Sequence, residues 1–150
     1  MRARVLIVEA RFYDHIADGL LAGATAALEA AGVAVDRIVV PGIYEIPAAL
    51  EMVLEAQRRG VPGRPAYDGF VTLGCAIRGE SDHYDYICTQ CMRGLNDLAV
   101  ANHLALGNGV LTVHDEAQAL ARSEPARKNI GGLAARACLR MMDLKRELKL

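Results

Sequence analysis

RVLIVEARFYDHIADGLLAGATAALEAAGVAVDRIVVPG, residues 4–42, is the stretch from which the architecture is read. Arg4 to Ala10 is a short apolar run ending at a charged turn, as a buried strand does. From His15 to Ala31 the residues Ile16, Leu20, Ala24 and Leu28 recur at four-residue spacing, which puts them on one helical face. Gly32 stands where a helix stop belongs. Asp36 to Val40 reads as a second strand, closed by Pro41-Gly42, through which neither a central strand nor a helix continues.

The same alternation runs outward from this unit. Ile46, Ala49, Leu50, Val53 and Leu54 give an amphipathic helix over 46–59, with Pro47 fitting its first turn. Residues 58–68, with Gly60, Pro62, Gly63 and Pro65, form the clearest loop. Gly69 to Leu73 is a third strand, Asp82 to about Ala101 a third helix, and 104–113 contains a fourth strand whose limits Gly107 and Gly109 blur. A short helix spans 115–122 and a longer one 131–150, with Lys145, Arg146 and Lys149 near its negative end. Strands alternating with helices imply a parallel sheet covered on both faces. Right-handed crossovers then give a doubly wound, three-layer α/β/α sandwich of four strands, one domain over residues 1–150.

An apolar fraction of 53% in 150 residues is high for a solitary domain and points to a subunit interface. Net charge is −1, and Lys and Arg are dispersed, which argues against nucleic acid or an anionic membrane as partner. The opening apolar run is short and broken by Glu9 and Arg11, so it reads as a strand rather than a signal peptide. No stretch has the length of a membrane span. The four cysteines do not resemble a secreted disulfide framework, and the cytoplasm is the expected compartment.

Ligands of such sheets bind beyond the carboxyl ends of the strands. Unusual residues collect at all four expected ends: 10–14 (ARFYD), 40–45 (VPGIYE), 74–83 (GCAIRGESDH) and 107–109 (GNG), with Arg122 at the end of the following helix. In the third segment Gly74 and Gly79 permit close backbone approach. Ser81 offers a hydroxyl beside the amides that open the next helix, an arrangement suited to phosphate. Glu80 would repel phosphate, so its side chain is expected to point away while its amide contributes. Ser81 or Asp82 as a plain helix cap is the competing reading. His83 falls in the first turn of that helix, where it can carry protons. Phe12 and Tyr44 are two of only seven aromatic residues, two Phe and five Tyr, and could sandwich a flat heterocycle or simply pack. Glu45 is placed either to accept hydrogen bonds from hydroxyls or to serve as a helix-start acid. Cys88-x-x-Cys91 lies inside a helix without a second Cys/His pair and reads as ordinary thiols. Gly107-Asn108-Gly109 lacks the third glycine and acid of a dinucleotide fingerprint.

Taken in order, ARFYD, VPGIYEIP, GCAIRGESDHYDY and GNGVLTV resemble the lumazine synthase family over about Val5 to Arg140. The resemblance implies a flavodoxin-like fold and a reaction without metal or organic cofactor. In it, 5-amino-6-(D-ribitylamino)uracil condenses with 3,4-dihydroxy-2-butanone 4-phosphate to 6,7-dimethyl-8-ribityllumazine, the penultimate step of riboflavin biosynthesis. It further implies that Phe12 stacks on the pyrimidine, that Ile43, Tyr44 and Glu45 line ring and ribityl chain, and that Cys75, Ala76 and Ile77 contact the ring through their backbone. Glu80 and Ser81 would cradle the phosphate, Arg122 pair with it, and His83 move protons.

Two positions depart from the family pattern. Asn108 stands where many relatives have a phenylalanine that reaches into the neighbouring subunit's site; an amide cannot supply that apolar lid but could hydrogen-bond the substrate, so Asn108 is counted with the substrate-binding residues. Ile130 replaces a lysine, with Lys128 two residues away. The resemblance implies pentamers, or multiples of them, with active sites between adjacent subunits. The segment 123–129 differs from the turn of shell-forming relatives, which favours a pentamer or a pair over a capsid. Two other readings compete: a catalytically weak paralogue that carries flavin or lumazine, motivated by Asn108 and Ile130, and a flavodoxin-like electron carrier. The latter needs a Ser/Thr/Gly-rich phosphate turn after the first strand, where this chain has Arg11-Phe12-Tyr13.

Overall fold

The computed structural model describes residues 2–150. In chain order the elements are β1 (Arg4–Ala10), α1 (Asp14–Ala30), β2 (Ala34–Val40), a 3-10 turn (Ile43–Glu45), α2 (Ile46–Arg58), β3 (Gly69–Ile77), α3 (His83–Asn102), β4 (Leu106–Val113), α4 (Glu116–Ser123) and α5 (Ile130–Glu147). The four strands form one sheet in the order β2-β1-β3-β4, and every pairing is parallel.

Side chains alternate across a strand, so each strand feeds two cores. Val5, Ile7, Val71, Leu73, Leu111 and Val113 pack with Ile16, Leu20 and Leu28 of α1 and with Ala135, Cys138 and Met142 of α5. Leu6, Val8, Phe70, Ala76 and Val110 pack with Leu50 and Leu54 of α2 and Cys91 and Leu95 of α3. The expected α/β/α sandwich is therefore present. Its central strands are near-continuously apolar because both faces are covered.

Three details of the strands differ from the sequence expectation, and α5 ends at Glu147 rather than running to Leu150. β2 starts at Ala34 rather than Asp36, because Ala34 and Val35 pair with Arg4 and Val5. β3 runs on to Ile77 rather than stopping at Leu73: Gly74 to Ile77 pair with Val110 to Val113, a ladder only the tertiary fold supplies. Gly107-Asn108-Gly109 sits in the first half of β4, not at its carboxyl end. A Cβ on Gly107 would lie 1.8 Å from the Ala134 carbonyl oxygen, and one on Gly109 2.8 Å from Leu73 Cδ2. The glycines are there to let α5 lie directly on the sheet, and the segment forms no strand-end loop.

Candidate active site

In the order β2-β1-β3-β4 the chain winds outward in opposite directions from β1 and β3, so the crevice for a ligand opens between their carboxyl ends. A cleft of about 620 Å³ lies there, lined by residues that follow β1, β2 and β3. Phe12 and Tyr13 come from the β1–α1 connection. Pro41 to Glu45 follow β2, Cys75 to Ile77 end β3, and Gly79, Ser81, His83, Tyr84, Tyr86, Ile87 and Gln90 come from the next loop and α3.

Each wall has a local cause. Gly74 faces the 3-10 turn: a Cβ there would lie 2.8 Å from Ile43 Cγ2 and 3.2 Å from Ala10 Cβ. Its missing side chain admits the buried Ile43 against the sheet, which aims the next residues, Tyr44 and Glu45, into the cleft rim. Gly74 thus serves a packing contact rather than approach to an anion; Gly79, whose Cβ would meet nothing within 4 Å, borders the cleft itself. Phe12 is 75% exposed and touches Tyr13 edge-on with ring centroids 5.0 Å apart, so its ring is presented to the cleft rather than packed in the core. Tyr44, at 63% exposure, is likewise available.

The loop into α3 is tied down by Arg78. Its backbone N–H donates to the Val113 carbonyl at 2.9 Å, its Nη2 to Asp85 Oδ1 at 2.8 Å, and its guanidinium lies 4.7 Å above the Tyr84 ring. Asp82 occupies the N-cap position without a side-chain cap. Ser81 Oγ accepts from the His83 N–H at a long 3.4 Å, so the capping reading holds only weakly. The positive end of α3, with Ser81, His83 and Tyr84 in the cleft wall, therefore lies beside the cleft and suits an anion. His83 is the first residue of α3 and lines the same wall.

Electrostatically the cleft's apolar half is inert. Burial, with a smaller contribution from Cys88, pushes the Cys75 thiol up to about 12, so it stays protonated and is no nucleophile at neutral pH. Burial likewise raises the Tyr13 and Tyr84 phenols. Among the described residues no three His, Cys, Asp or Glu side chains converge as metal ligands would.

Of the residues singled out from the sequence, Phe12, Ile43, Tyr44, Glu45, Cys75, Ala76, Ile77, Ser81 and His83 line this one cleft. Three do not. Glu80 is exposed and outside the lining, in keeping with a side chain that turns away. Arg122, on α4, donates from Nη1 to the Gln118 carbonyl at 3.1 Å and does not border the cleft. Asn108 points to the α2–α3 face of the sheet. There Oδ1 accepts from Thr72 Oγ1 at 3.0 Å and from the Val110 N–H at 3.1 Å, and Nδ2 donates to Met92 Sδ. It borders a separate apolar groove between α3 and α5, so its expected place at the fourth strand end is corrected. Residues missed from the sequence include Tyr13, Tyr86, Ile87 and Gln90. The signal for the last three was available: counted from His83 they fall at i+3, i+4 and i+7, on its helical face.

Fold and cleft together define a doubly wound α/β protein with a small-molecule site at the switch point of its sheet, one half aromatic and flat, the other a helix start suited to phosphate. The family model for 6,7-dimethyl-8-ribityllumazine synthase matches residues 2–146. A relative of that name from Paramagnetospirillum magneticum is 72% identical over 148 residues, 99% of this chain and 98% of its own. Another from Afipia carboxidovorans is 51% identical, covering 97% of this chain and 88% of its own length. The 6,7-dimethyl-8-ribityllumazine synthase 1 of Rhizobium meliloti is 51% identical, covering 96% and 92%. The chain belongs to the lumazine synthase family. At such identity a catalytically weak paralogue that carries flavin or lumazine is not the favoured reading.

Proposed function

We propose that the chain condenses 5-amino-6-(D-ribitylamino)uracil with 3,4-dihydroxy-2-butanone 4-phosphate, releasing phosphate and water and forming 6,7-dimethyl-8-ribityllumazine. The observation that carries the reading is the single cleft that joins Phe12, Tyr44 and Glu45 to the helix start holding Ser81 and His83. Phe12 and Tyr44 stack the pyrimidine, Glu45 accepts hydrogen bonds from ribityl hydroxyls, and the backbone of Cys75, Ala76 and Ile77 reads the ring edge. The amides of Glu80 and Ser81 take the phosphate.

The pyrimidine 5-amine attacks the ketone and loses water to form an imine. A proton then leaves carbon as phosphate departs, and the ribityl-bearing nitrogen closes the ring with loss of a further water. His83 shuttles the protons between carbon and oxygen. Each step is within reach of the unassisted reactants, so most of the acceleration comes from holding them together. The reaction draws on no metal or organic cofactor.

Arg122 and Asn108 lie outside the cleft of their own chain, which supports their acting on a neighbouring subunit's site, Arg122 as a phosphate partner. We infer a homopentamer, or a multiple of pentamers, built from single-domain cytoplasmic subunits. The exposed Val100, Met141, Leu148 and Leu150 near the groove that holds Asn108 support such an interface. Among the described residues no helix is long and apolar enough to cross a membrane.

The test is direct. Purified protein mixed with both substrates produces the lumazine chromophore faster than the uncatalysed mixture. A rate equal to that background refutes the proposal.

A further inference from the structure

Glu9 is fully buried at the end of β1, on the face where the preceding inward positions are the apolar Val5 and Ile7. A lone carboxylate there carries a large desolvation cost in general, and an apolar side chain would serve the core better. The chain instead matches it with two guanidinium groups: Arg11 Nη1 donates to Oε1 at 2.5 Å and Arg37 Nε to Oε2 at 2.7 Å. Arg11 does more than neutralise it. From the same planar head it donates to Asp14 Oδ1 at 3.0 Å, to the Asp14 carbonyl at 3.3 Å and to Asp18. One side chain, itself largely buried, therefore bridges the end of β1 and the first two turns of α1. Phe12 and Tyr13 are the two residues spanned by that bridge. Core packing does not fix Phe12, which is exposed and meets Tyr13 only edge-on. Its direction is set by the backbone of the turn, which the bridge holds together with the packing of Tyr13 on the core and the Ala17 N–H that donates to the Tyr13 carbonyl at 2.9 Å.

We propose that Glu9 is a positioning residue for the pyrimidine half of the site: it orients Arg11, and Arg11 holds the Phe12–Tyr13 turn where a flat ring is stacked. The inference rests on the function proposed above. Lysine at position 11 would have a single ammonium and could not bridge Glu9, Asp14 and Asp18 in one plane. Glutamine at position 9 keeps the shape of glutamate but loses the charge that draws both guanidinium groups.

The experiment is calorimetric titration of the folded assembly with 5-amino-6-(D-ribitylamino)uracil and, separately, with inorganic phosphate. Loss of one oriented ring contact predicts that Glu9→Gln and Arg11→Lys each weaken pyrimidine binding by about tenfold while leaving phosphate affinity unchanged. In a Phe12→Leu background the added effect of Glu9→Gln shrinks to less than about twofold, because the contact it serves is already gone. A merely structural role would weaken both ligands together and would add in full to Phe12→Leu, and either result overturns the proposal. Should Glu9→Gln fail to fold, Arg11→Lys decides alone. Wild-type binding of pyrimidine with no change in these variants refutes the positioning role only. A wild-type chain that binds no pyrimidine overturns the functional reading and this inference with it.

Discussion

Replacing Gly74 by alanine places a methyl group 2.8 Å from Ile43 Cγ2, 3.2 Å from Ala10 Cβ and 3.5 Å from Ile46 Cδ1. Carbon atoms rest at about 3.5–4.0 Å, so one neighbour has to give by about 1 Å. Ala10 belongs to a central strand and Ile46 to the first turn of α2, which leaves the short turn bearing Ile43 as the part that moves. Overpacking of this kind costs about 1–3 kcal/mol. For a chain of this size that is a fall in melting temperature of roughly 2–12 °C. The same displacement carries Tyr44 and Glu45 off the cleft rim, and a misplacement of about 1 Å can cost up to roughly a hundredfold in rate. Steady-state assays should show most of the loss in KM for the pyrimidine, with the phosphate substrate little affected. Gly79→Ala is the contrast, because its Cβ would meet nothing, and its melting temperature should match wild type. A Gly74→Ala protein with wild-type melting temperature and wild-type pyrimidine KM would refute the account of how the turn is seated.

His83→Ala is expected to lower kcat by up to about a hundredfold while remaining above the uncatalysed rate, since positioning survives the loss of a proton carrier; rates at saturating substrate check it. Arg122→Ala should raise KM for the phosphate substrate. If Arg122 serves a neighbour's site, mixed and reassembled Arg122→Ala and His83→Ala subunits should recover part of the lost activity. Cys75, Cys91 and Cys138 have thiols pushed up to about 12, chiefly by burial. These thiols stay neutral in the folded chain while the unfolded ones ionise near 9, so stability is full below pH 9 and falls between pH 9 and 12. Urea midpoints against pH read this, and a midpoint constant to pH 12 would contradict it. At pH 8 a disulfide reagent should label the half-buried Cys88 before the other three.

The sequence by itself determined the elements and their order, because those signals are local. The four-residue spacing of Ile16, Leu20, Ala24 and Leu28, the stop at Gly32 and the break at Pro41-Gly42 each act within one turn or one connection. They needed no partner from elsewhere in the chain. Most of the cleft was legible for the same reason, since residues directly following parallel strands arrive at one edge whatever the details of packing. What only the tertiary structure decided are the matters that depend on contacts between distant segments. Gly107 and Gly109 look like a loop in sequence, yet they are strand residues stripped of side chains because Ala134 of α5 lies against them. Gly74 looks like part of an anion loop, yet it is small because Ile43 packs on it. Arg122 and Asn108 stay out of their own cleft because one is carried by helix α4 and the other lies on the α2–α3 face of β4, bordering a separate groove. In sequence Glu9 is only an acid that interrupts an apolar run; its positioning role depends on Arg37, 28 residues away, and on a burial that exists only when the sheet is assembled. Periodicity and turn chemistry are written in neighbouring residues, whereas steric fit and the pairing of buried charge are set by which segments the fold brings together.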